Sequence, residues 1–142
     1  MGHFKRLFFE TAIEDWNEQF SIDTSSDLSN FIQRVDRSTI ASVGCRLCPA
    51  AIQFVTGHGV FSTWFARTVP NFIVGCRNCG SAEDGPLHVL FDCPTWSALR
   101  LQYLDGTSRE RPMRLLCPDL LPSFNAFCAT VVEARRHLYS YT

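Results

Sequence analysis

Apolar positions along this chain recur mostly at helical spacing. Over residues 4–20, Phe4, Leu7, Phe8, Ile13, Trp16 and Phe20 fall on one side, with Glu10, Glu14 and Glu18 between them, as an amphipathic helix requires. A polar run, Ile22 to Ser26, follows; Asp27 is then placed to cap a short helix bearing Leu28, Phe31, Ile32 and Val35 on one face. Pro49 suits a first helical turn. Ile52, Phe54 and Val55 continue from it until Gly57 and Gly59 permit the positive φ that ends a helix. Val60, Phe61, Trp64 and Phe65 mark the next helix, which stops before Pro70. Pro86 opens another through Leu87, Leu90 and Phe91; Pro94 breaks and restarts it, with Trp96, Leu99, Leu101 and Tyr103 following. A last helix, from about Ser123 to Tyr139, turns Phe124, Phe127, Cys128, Val131 and Leu138 inward. Arg135, Arg136 and His137 lie near its C-terminal end, where the helix dipole favours cations.

Between these elements two segments lack periodicity. Residues 68–86 read as a loop with turns, and residues 105–122, with Gly106, Pro112, Pro118 and Pro122, as a mobile connection. The expected fold is mainly α, a small helical domain with a zinc motif in a loop-helix segment. Its parts are a helical N-terminal part (1–67), a zinc-binding segment (68–104), a linker (105–122) and a C-terminal helix (123–142). All belong to one folded unit, since 142 residues support one core.

Composition agrees with a globular chain: 46% of residues are hydrophobic and 19% charged, unlike a disordered tail. No stretch reaches the roughly 20 apolar residues that span a bilayer, and the N-terminus acquires acids too early for a secretory signal. A soluble protein of the nucleus or cytoplasm, without a membrane partner, is the expectation. Net charge is −1, which gives no global drive toward nucleic acid. The balance is uneven, however. Residues 1–36 carry seven acids (Glu10, Glu14, Asp15, Glu18, Asp23, Asp27, Asp36) against Lys5, Arg6 and Arg34, so the bases concentrate in the rest of the chain, where a polyanion would meet it.

The seven cysteines are an odd number, and four stand as two C-x2-C pairs, which without a signal peptide favours metal over disulfides. Cys76, Cys79, His88 and Cys93 form C-x2-C-x8-H-x4-C. Two thiolates separated by two residues can turn around one ion, and His88 and Cys93, about 1.4 helical turns apart, can meet it if the helix ends near Cys93, as Pro94 ensures. Three thiolates and one imidazole make a closed tetrahedral set for one zinc ion per chain. With no vacant position the metal is structural, and the chain is not expected to be an enzyme.

The second pair is open to more than one reading. Cys45 and Cys48 could be redox-active, ligate a second metal, or be two buried thiols. Cys128 lies on an apolar helical face and reads as core. His58, between two glycines, has no activating partner in sequence and reads as part of a helix-ending turn. Arg77, Arg100, Arg109, Arg111 and Arg114, interleaved with Trp96 and Tyr103, either bind single-stranded nucleic acid by phosphate pairing and stacking or form a solvated surface with Trp96 packed beneath it. No Gly-rich phosphate loop, nucleophile elbow or carboxylate dyad is present.

The run Gln53-Phe54-Val55-Thr56-Gly57-His58-Gly59-Val60-Phe61, then Cys76-x2-Cys79, then His88-Val89-Leu90-Phe91-Asp92-Cys93-Pro94, resembles the C-terminal region of reverse transcriptases from non-LTR retrotransposons. The resemblance covers residues 50–96 well and extends more loosely over 10–104. It implies a zinc-containing accessory segment that binds RNA or DNA, with Cys76, Cys79, His88 and Cys93 as ligands and Gln53, Gly57 and His58 as motif positions. Polymerase and nuclease domains are absent, Asp92 replaces the family's Glu, and Cys45/Cys48 falls outside the pattern. The chain is then expected to be either part of a polyprotein or a stand-alone derivative. Two functions follow as expectations: a non-catalytic module binding RNA or single-stranded DNA, or a zinc-stabilised adaptor whose N-terminal aromatic helix meets a protein partner or a second copy.

Overall fold

A computed structural model of the chain describes residues 10–15, 17, 18, 27–33, 36 and 46–139. These residues form a mainly helical domain, and no strand occurs among them. Besides the helical residues 10–15, 17 and 18, the described residues include α1 (Pro49–Thr56), α2 (Ser62–Thr68), α3 (Ser97–Tyr103) and α4 (Leu121–Arg135). No helix among the described residues is long and apolar enough to cross a membrane.

The longest element, α4, organises the rest because its apolar stripe is continuous. Leu121, Phe124, Phe127, Cys128, Val131 and Val132 are all buried, and both α1 and α3 pack on this helix. Phe54 of α1 sits edge-on to Phe127 of α4 at a centroid distance of 6.1 Å and to Phe61 at 5.0 Å. Edge-to-face rings such as these add about 0.5–1.5 kcal/mol beyond the area they bury. Phe31 reaches the same core and stacks on Phe124.

Helix boundaries near the glycines and prolines match the sequence. Pro49 occupies the first turn of α1, and Gly57 ends it with φ +73°. Elsewhere the structure differs. The N-terminal helix expected over 4–20 is helical at 10–15, 17 and 18; its aromatic face and Trp16 lie outside the described residues. Only a 3-10 turn, Asp27–Asn30, forms where a helix to Val35 was expected, and Val35 is likewise outside them. Asp27 does not simply cap: its carboxylate pairs with Arg67 at 3.2 Å and lies over Gly57. The connection 105–122 is packed. Pro112–Leu116 is a 3-10 helix, and Pro112, Leu115 and Leu116 are buried.

Gly57 is required on two counts. A Cβ there would lie 2.6 Å from Asp27 Cγ, and the positive φ is itself unfavourable for other residues. Gly57→Ala should therefore lower stability by about 1–3 kcal/mol. A denaturant titration reads this; an unchanged midpoint would contradict the packing of Asp27 on the turn.

Candidate metal centre

The first half of the centre is a tight turn. Gly80 N–H donates to the Cys76 carbonyl at 2.9 Å and Cys76 N–H to the Ser81 carbonyl at 2.8 Å, so the chain reverses around the two thiols, with Gly80 at φ +81°. The second half is a π-helical turn, His88–Asp92, closed by Cys93 N–H donating to the His88 carbonyl at 2.7 Å. In an α-helix, residues five apart point about 140° away from each other. An i→i+5 hydrogen bond instead widens the turn by nearly one residue and swings the two side chains toward one face. This turn is what lets an H-x4-C spacing work.

The four groups converge: one ligand atom from each of Cys76, Cys79, His88 and Cys93 lies within 4.8 Å of all the others. Cys76 Sγ is 3.9 Å from Cys93 Sγ, and Cys79 Sγ is 3.4 Å from His88 Nε2. A tetrahedral zinc with Zn–S of about 2.3 Å and Zn–N of about 2.05 Å requires edges of about 3.8 and 3.5 Å. Both distances fit. A donor set of thiols and an imidazole with no carboxylate suits a transition-metal ion better than calcium or magnesium. Cys76, His88 and Cys93 are buried, with Cys79 the most open of the four.

Electrostatics point the same way. Burial pushes the Cys76 thiol up to about 12, so holding this sulfur as a thiolate calls for a cation beside it. The Ser81 backbone hydrogen bond lowers Cys79, and burial lowers His88, keeping the imidazole neutral as a ligand must be. Glu83, His88 and Asp92 also approach one another, but Arg109 pairs with Asp92 and lies 3.9 Å from Glu83, which leaves those carboxylates occupied.

Asp84, between the two halves, ties the loop to the rest of the domain. Its carboxylate is fully buried, accepts from Ser62 N–H at the start of α2 at 2.8 Å, and accepts from Arg135 Nη2 at 2.6 and 2.7 Å. The Tyr139 hydroxyl donates to it as well, and Ser62 Oγ accepts from Gly75 N–H at 2.9 Å. Asp84 has no distinguishing pattern in sequence. Arg135 does: it continues the α4 stripe at helical spacing from Val131 and Phe124, and a charge on an apolar stripe demands a buried partner. Its place near the C-terminal end of the helix dipole gives no sign of this burial, yet the side chain is wholly buried.

The other candidate residues do not gather into one surface. Trp96 is 8% exposed and packs in the core. Arg100 donates to the carbonyls of Val89 and Cys93. Arg109 holds Asp92, and Arg114 grips both oxygens of Asp119 at 3.1 and 3.0 Å. Arg77 lies over the rings of Phe72 and Tyr139 and donates to the Leu138 carbonyl. Arg111, exposed, has no side-chain partner among the described residues.

Cys48 takes no part in the quartet. Its Sγ accepts from Ala51 N–H at 3.4 Å and caps α1, while its own N–H donates to Asn125 Oδ1 at 3.0 Å. Cys45 lies outside the described residues. Cys128 is buried on α4, as its place on the stripe predicts. The exposed His58 ring stacks on Trp64 with centroids 4.1 Å apart, and Gly57 and Gly59 on either side both have positive φ. No protein-family model, no curated protein and no solved structure matches the chain.

Proposed function

We propose that this chain is a zinc-dependent, non-catalytic interaction module related to the C-terminal region of non-LTR retrotransposon reverse transcriptases, and that it contacts RNA or single-stranded DNA. The observation that carries the zinc reading is the quartet: its Cys76–Cys93 and Cys79–His88 separations fit tetrahedral edges, and four such ligands would leave no position for substrate or water. The partner rests on the resemblance and on the excess of bases beyond residue 36.

The occupied side chains narrow the contact set. Arg111 is exposed and open, the exposed Arg77 would have to leave the Leu138 carbonyl, Arg109 and Arg114 would have to exchange a carboxylate for a phosphate, and Arg100 and Trp96 serve the interior. With two to three phosphates engaged, log K for single-stranded RNA should fall against log salt with a slope of about −1.4 to −2.1. A flat slope would sink the nucleic-acid reading. A protein-adaptor reading is favoured by the exposed apolar side chains Ile73 and Leu101, 87% and 72% accessible; it gains if binding to a protein or a second copy persists at high salt.

A further inference from the structure

We infer that Arg100 is a positioning residue of the metal centre: its guanidinium holds open the π-turn that places His88 and Cys93 on one face. The inference rests on the zinc reading above and deepens it.

The argument begins with a carbonyl. In a regular α-helix the Val89 carbonyl would accept from Cys93 N–H, but that donor is diverted to His88 by the π-turn. The donor one residue further on is Pro94, which has no N–H. Neither regular helical donor is therefore free for the Val89 carbonyl, and an unpaired backbone acceptor at a site this buried costs about 1–3 kcal/mol. Arg100, one turn into α3, supplies the missing donor. Nη1 donates to Val89 O at 3.1 Å and Nη2 to Cys93 O at 2.5 Å. The planar fork spans the two carbonyls at once, which a single ammonium does less well.

Without the fork, the turn gains by returning Cys93 N–H to Val89 O. That α register swings Cys93 away from His88 and breaks the quartet. Arg100 touches no ligand atom; it acts through the backbone conformation on which two ligands depend. Supporting groups of this kind change metal affinity by about 10–100-fold.

The test uses the full chain loaded with zinc, and separately with cobalt(II), whose thiolate charge-transfer and ligand-field bands report the ligand set. Arg100→Met should weaken zinc 10–100-fold in a chelator competition and alter the cobalt bands, with Arg100→Lys intermediate. Leu101→Ala, on the exposed side of α3, and Val131→Ala, a core variant on α4 that leaves the two carbonyl contacts intact, should keep the wild-type spectrum. Affinity within twofold of wild type in Arg100→Met, with unchanged cobalt bands, would overturn the inference while leaving one zinc per chain intact. A wild-type chain that binds no zinc would overturn both readings. If Arg100→Met fails to fold, the wild-type protein still decides. Separate, slowly exchanging Nη proton resonances for Arg100 support the clamp, and a single averaged resonance refutes it.

Discussion

Chelating the metal is expected to unfold at least residues 72–104 and to remove most of the stability of the domain. Structural zinc in small Cys/His sites contributes about 10–16 kcal/mol, the same scale as the total stability of a domain, about 5–15 kcal/mol. The Cys76–Gly80 reversal and the π-turn each bring two ligands that an ion would join, and apart from the Asp84 network and the buried Val89, Leu90 and Trp96 the segment has few other ties to the domain. Far-UV circular dichroism with and without a strong chelator measures the loss, and Cys93→Ser should reproduce it without a chelator. A melting transition unmoved by both treatments would refute a structural role for the ion. Acid should act in the same direction. Burial lowers the His88 pKa in the folded chain, so this group contributes stability that is fully present above its unfolded value of 6.5 and is lost as pH falls through the folded value. Proton competition for the thiolates adds to the effect, so metal release and unfolding should coincide on the acid side.

The parts of this molecule legible in sequence are those set by local rules. Pro49 and Gly57 delimit α1 because one fixes φ at a helix start and the other tolerates φ +73° at its end, and neither depends on the rest of the fold. The α4 stripe is legible because burial at helical period leaves its mark on residue type. The convergence of Cys76, Cys79, His88 and Cys93 is legible because a site able to hold a metal demands particular atoms at particular separations.

What sequence did not convey is how the segments meet. An H-x4-C spacing suits an α-helix poorly, and in sequence Pro94 offers the nearest remedy, an end to the helix near Cys93. The structure resolves it by changing the helix type, with Pro94 contributing a missing N–H as much as a stop. The prolines and glycine of the connection over 105–122 break periodicity and suggest mobility; Pro112, Leu115 and Leu116 in a single 3-10 turn nonetheless anchor it to the core, and a pattern that short gives no periodic signal. Arginines are the hardest to place. Arg77, Arg100, Arg109, Arg111 and Arg114 look alike in sequence, but their surroundings differ: an aromatic face, two carbonyls, a carboxylate, open solvent and a second carboxylate.

Asp84→Asn should cost about 3–5 kcal/mol, the second largest effect expected of this domain, because it leaves the Arg135 guanidinium buried without its counter-charge. Arg135 makes its hydrogen bonds through Nη2 alone, to both Asp84 oxygens and to Tyr139 Oη at 2.8 Å, while Nε and Nη1 lack partners. The rings of Tyr139 and Phe61, 4.8 and 5.5 Å from Cζ, are its remaining compensation. Arg135→Met should cost less, since Asp84 keeps Ser62 N–H and the Tyr139 hydroxyl. The double variant should be more stable than the sum of the two losses implies, by about 0.5–3 kcal/mol, as for any contacting charged pair. Strict additivity in a denaturant cycle would show that the pair is not coupled. Tyr139 gives an independent check. Burial, then the adjacent carboxylate, raises its phenol to about 12 from 10.0, so the folded chain holds this proton more tightly than the unfolded one. Its contribution is complete below pH 10 and lost as pH rises through about 12, and Asp84→Asn should move that alkaline limb downward. Because Asp84 lies between Cys79 and His88, the same substitution should also loosen the zinc loop. Faster metal loss in Asp84→Asn than in an equally destabilised α4 core variant would tie the ion to the C-terminal helix through this one carboxylate.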